Sequence, residues 1–85
     1  MSNDAAGASL DAVLVDLGEV IARLDRRGHV LSARLDLALG DHCWVAQILA
    51  DPLYKPLVGK GDTTSEALID LHTDAARIDW RKVRR

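Results

Sequence analysis

The chain has 85 residues, 48% of them hydrophobic, and a formal net charge of −2. That length holds one domain with a modest core, and that apolar fraction excludes a disordered chain. The charge balance excludes a global field that would draw the chain to nucleic acid or to an anionic membrane.

Leu and Ala dominate, Phe is absent, and the aromatics are Trp44, Tyr54 and Trp80. This is a helix-former composition, poor in the residues that sheets favour. Residues 1–8 are small and polar and read as a flexible lead-in. They lack the charged start and apolar run of a signal peptide. No apolar stretch approaches the roughly 18 residues that span a bilayer.

Ser9 suits an N-cap and Asp11 the first helical turn. From there an apolar series steps by four and three: Leu10, Leu14, Leu17, Ile21, Leu24, Gly28, Leu31, Leu35, Ala38, His42, Val45, Leu49. On a helix this spacing forms one stripe. Arg26 and Arg27 before Gly28 read as a helix end. One reading continues a single long helix through Gly28. The other turns a corner there, and the shortness of ordinary helix–helix connections favours it. The expectation is an αα-hairpin with arms over about 9–27 and 30–50.

The second arm carries a further stripe, Val30, Leu37, Trp44 and Ile48, roughly opposite the first. A helix apolar on two sides needs two partners, so these four residues are the expected partner-binding face. Gly40-Asp41 reads as a kink, and Asp51-Pro52 ends the arm. Residues 53–62 read as a loop. Thr63-Thr64-Ser65-Glu66 is a capping box opening a last helix over about 64–79. Leu68, Leu71, Ala75 and Ile78 form its apolar face. Asp70, Asp74, Arg77 and Arg81 form charge pairs on a solvated face. No segment is read as a strand. The expected fold is all-α: a small, dimeric helical bundle over 9–80 with a basic tail over 81–85.

Candidate sites are few. His42 and Cys43 are adjacent, but adjacent helical side chains diverge by about 100°. No second Cys exists, and His29 and His72 are distant in sequence, so neither a metal centre nor a thiol nucleophile is expected. His42 is instead a titratable residue in the seam, where protonation would weaken a dry interface at mildly acidic pH. The lone Cys43 excludes an intramolecular disulfide and suits a reducing, cytoplasmic setting. Val58-Gly59-Lys60-Gly61-Asp62-Thr63 lacks the order of a phosphate loop, because Gly follows the Lys. Four of the 11 bases, Arg81, Lys82, Arg84 and Arg85, fall in the last five residues. They can contact phosphates, with Trp80 available to stack on a base.

These readings point to a non-enzymatic protein-interaction or regulatory module. It binds no cofactor, metal or membrane, and it self-associates or docks on a larger protein through apolar helix faces. The alternative is a nucleic-acid-linked regulator, antitoxin-like or phage-type, that uses the basic tail. A ribbon-helix-helix protein is not expected, because no alternating N-terminal strand is read.

Overall fold

Residues 34–39 read Arg-Leu-Asp-Leu-Ala-Leu, and Gly40-Asp41 follows at once. Leucine at every second position, ended by a turn dipeptide, is a strand signal. In the computed structural model, which describes residues 10–27, 33–53 and 55–83, this segment is strand β1 (Arg34–Leu39). The Gly40 N–H donates to the Cys43 carbonyl at 2.8 Å, closing a tight hairpin. Strand β2 (Trp44–Leu49) returns antiparallel, and β3 (Leu57–Gly61) pairs with its other side, giving the order β1-β2-β3. Helix α1 (Leu10–Asp25) precedes the sheet and α2 (Thr64–Ala75) follows it.

The fold is therefore mixed α/β, which corrects the all-α helical bundle expected above. The first and last expected helical segments are helices. Within the arm expected over 30–50, residues 34–49 form a β-hairpin, and part of the expected loop over 53–62 is β3. The supposed corner at Gly28 lies outside the described residues. The error has a physical cause. Leu35, Ala38, Val45 and Leu49 fit a helical stripe, but Leu35, Leu37 and Leu39 fit a strand equally well. A segment this rich in leucine satisfies both periods. What decides is the partner surface, and β2, with Trp44, Val45 and Ile48, is a good strand.

The pairing register assigns side chains to faces. Leu35 pairs with Ile48, Leu37 with Ala46 and Leu39 with Trp44, while Leu57, Gly59 and Gly61 line up with the same β2 residues. This face meets the helices. The buried core joins Ala46 and Ile48 to Val13, Leu17 and Leu24 of α1 and to Ala67, Leu68, Leu71 and Ala75 of α2. The opposite face, with Arg34, Asp36, Ala38, Val45, Gln47, Leu49, Val58 and Lys60, carries no described helix. A one-sided antiparallel sheet of this kind leaves its second face to solvent.

The contact between α2 and β3 is unusually close. A Cβ on Gly59 would land on the Leu71 nitrogen and the Ala67 carbonyl oxygen, and would lie 2.6 Å from the Leu71 Cα. One on Gly61 would lie 2.6 Å from the Ala67 nitrogen. The two glycines thus let a helix backbone rest directly on a strand backbone. Short carboxylates can then reach the outer edge of β3. Asp74 accepts from the Val58 N–H at 3.1 Å, Asp70 from Lys60 at 2.9 Å, and Glu66 from Asp62 at 2.9 Å. Four helical residues rise about 6 Å and two strand residues about 6.7 Å, so the two series stay in step. Thr63 caps α2 as the capping box predicts, its hydroxyl accepting from the Glu66 N–H at 3.1 Å. Glu66, however, reaches back to Asp62 rather than to Thr63.

Asp70 and Asp74 therefore hold the sheet rather than pairing with Arg77 and Arg81. Asp74→Ala is expected to lower stability by about 1–3 kcal/mol, with Asp70→Ala at the lower end because its bond is exposed. Urea denaturation measures both. Equal stability of Asp74→Ala and the wild type would show that the edge bonds contribute nothing.

Candidate functional site

The two edges of the sheet are treated differently. In an antiparallel ladder, every second residue turns its backbone N–H and C=O away from its neighbour. On β3 the outward residues are Val58 and Lys60, and α2 carboxylates occupy both N–H groups. On β1 the bonded closing pair Gly40–Cys43 sets the phase, so Leu35, Leu37 and Leu39 point their backbone groups outward. Only the start of this edge is held: the Ala33 N–H donates to Asp25 of α1 at 3.0 Å. Among the described residues, nothing bonds the outward groups of Leu35, Leu37 and Leu39.

Side chains make the same edge apolar. Leu37 is 38% exposed and Leu39 65%. Among the described residues, every large exposed apolar side chain belongs to α1 or β1: Leu10, Leu14, Val15, Leu37 and Leu39. On α1, the flank carrying Asp16 and Arg23 meets α2 and Trp80. At 100° per residue, Leu10 and Leu14 lie on the flank turned away from α2. Since α2 sits against β3, the outward groups of β1 and the Leu10 and Leu14 side chains share the side of the molecule remote from α2, while Val15 lies on the outer face of α1. Natural free edges are normally blunted by Lys, Pro, a bulge or a covering element. Arg34 and Asp36 supply charge at one end of β1, 3.4 Å apart, but Leu37-Ala38-Leu39 carries no such device.

The residues expected to bind a partner separate on this frame. Leu37 is on the free edge. Ile48 is fully buried in the central strand, and Trp44 is half-buried against the core. All three lie on one sheet face rather than on a second helix stripe, and Val30 lies outside the described residues. His42 is exposed in the hairpin loop, so it is no seam residue. Leu35, read from the sequence as part of the first helical series, and Leu39 are not among the partner-binding residues expected from the sequence. Their alternation with Arg34, Asp36 and Ala38, ending at Gly40-Asp41, was the available signal.

The residue just before the basic tail is docked. Trp80 is half-buried, with the Arg23 guanidinium 4.0 Å and the Arg27 guanidinium 5.2 Å from its ring centroid. Arg23 comes from the last turn of α1 and Arg27 from the turn just after it, a long-range pairing that helix periodicity does not reveal. The ring is thereby engaged by cations rather than presented for base stacking. Arg81 is exposed and bonded to Asp79, Lys82 is exposed, and Arg84 and Arg85 lie outside the described residues.

Beside Trp80, α1 and α2 border an open cleft of about 290 Å³ lined by Asp16, Glu19, Arg23 and His72 among others. Asp16 and His72 face each other there, carboxylate to Nε2, at 2.9 Å. The residues lining the cleft carry no hydroxyl or thiol. No group of three or more His, Cys, Asp or Glu among the described residues is placed to hold a metal ion. No helix among them is long and apolar enough to cross a membrane. No family model matches the chain, and neither a curated protein nor a solved structure matches it.

Proposed function

We propose that this protein is a non-enzymatic interaction module whose docking element is the β1 edge. An extended segment of a partner protein would add to the sheet as a further strand. Its main chain would bond the outward groups of Leu35, Leu37 and Leu39, and alternate side chains would settle beside Leu37 and Leu39. The observation that carries this reading is the asymmetry of the edges: helix carboxylates hold both outward N–H groups of β3 and that of Asp62 just after it, while among the described residues nothing bonds the leucine-lined edge of β1. Docking thus moves from helix faces to a sheet edge. The lone Cys43 supports a cytoplasmic setting.

A peptide with the sequence of residues 33–41 is a suitable strand probe. Added to the isotopically labelled protein, it is expected to slow amide exchange at Leu35, Leu37 and Leu39 and leave β3 unchanged. The same peptide N-methylated at its central leucine should bind weakly. Binding that leaves these three amides unprotected would overturn the reading.

The gathering of Arg23 and Arg27 at Trp80, next to Arg81, favours a second reading in which this basic pole contacts nucleic acid. It predicts affinity for a DNA duplex that falls steeply with salt and is lost on deleting residues 81–85. Absent or salt-insensitive binding eliminates it.

A further inference from the structure

We infer that the strand completing the β1 edge is β1 of a second copy of this chain, paired antiparallel about a two-fold axis through Leu37. The inference rests on the edge reading above and identifies the occupant.

The edge is self-complementary in one register. Among the described residues, only Leu35, Leu37 and Leu39 of β1 have outward groups that nothing bonds, so the bonded pairs of a symmetric dimer are drawn from these three. Centring the axis on Leu37 sets Leu37 opposite its own copy and Leu35 opposite Leu39, and each such pair can exchange both N–H···O bonds. Centring it on Asp36 fails twice. It sets two carboxylates face to face, which is destabilising, and it calls on the Ala33 N–H, which Asp25 already holds. Centring it on Ala38 sets Leu35 opposite Asp41, in the hairpin loop beyond β1, so only the Leu37–Leu39 pairs can form. The Leu37 register sets Asp36 opposite Ala38 and Arg34 opposite Gly40, so no like charges oppose each other.

The symmetry also deals with the exposed leucines. A two-fold axis normal to the sheet keeps both helical layers on one side of a continuous six-stranded sheet. Leu35, Leu37 and Leu39 of both copies then form one apolar strip on that side. The Leu10 and Leu14 flanks of the two α1 helices, each turned away from its own α2, face each other across it. A strand from an arbitrary partner satisfies the backbone but leaves the α1 flank uncovered. A second copy brings a matching flank with it.

Sedimentation of the full chain from micromolar to millimolar concentration tests the inference, together with amide exchange and isotope-filtered contacts between labelled and unlabelled copies. The expected result is a dimer with Leu35, Leu37 and Leu39 protected and a close Hα contact between Asp36 and Ala38 of the second copy. Leu37→Pro removes an outward N–H that no β2 residue uses, so it should raise the dissociation constant by roughly 100-fold while the monomer stays folded. Should that variant unfold, Leu39→Lys, at the most exposed leucine of the edge, should weaken the dimer in the same way. A chain that stays monomeric while the 33–41 peptide still protects the edge overturns the second copy but keeps the module reading. A monomer that ignores the peptide overturns both. A dimer that leaves the β1 amides unprotected, or that Leu39→Lys does not weaken, overturns the inference.

Discussion

Gly59→Ala is expected to unfold the protein or remove most of its stability. The added methyl would meet the helix backbone at Leu71 and Ala67, not a side chain that can swing aside. Overpacking of this kind typically costs about 1–3 kcal/mol when side chains can yield, and here α2 itself must lift from β3. Lifting it also stretches the Asp70 and Asp74 bonds to the β3 edge, so the loss compounds. We expect about 3 kcal/mol or more, against a total of roughly 5–12 kcal/mol for a domain of this length. Urea denaturation checks it directly. A midpoint within error of the wild type would mean that α2 does not sit on β3 as described.

Ile48→Ala has the second-largest expected effect, and it acts on folding. Ile48 is fully buried in the central strand, opposite Leu35 on one side and Leu57 on the other. Truncating such a side chain removes its burial and leaves a cavity between the sheet and the helices, at a cost of about 2–5 kcal/mol. Thermal and urea denaturation should both show the loss. Leu37→Asp provides the contrast. Its side chain is exposed at the edge, so the folded state should persist while pairing at β1 is lost. If Ile48→Ala kept full stability and lost only association, Ile48 would belong to a binding face after all. The two substitutions separate residues that one helical stripe had grouped together.

Much of what surrounds the candidate edge was legible locally. The apolar spacing from Leu10 to Leu24 marks a helix, and the Thr63–Glu66 signature marks where α2 begins; both depend on neighbours within a turn. Arg23 and Arg27 at Trp80 were not legible, since the contact spans more than fifty residues. Nor was the role of Asp70 and Asp74. On a helix wheel they sit among charges and look solvated, and only the strand beneath them makes them acceptors.

What the sequence by itself determined is the set of segments with a single period: α1, the start of α2, and the apolar content that makes a folded core. The tertiary structure alone decided the state of residues 34–49, where leucine spacing satisfies both helix and strand. It decided it through non-local pairing. Trp44, Ala46 and Ile48 became a central strand because Leu57, Gly59 and Gly61 lay along one side and β1 along the other. The same pairing turned the backbone groups of Leu35, Leu37 and Leu39 to the outer edge, where no described residue bonds them. A free edge is a property of the assembled sheet, so no local pattern announces it.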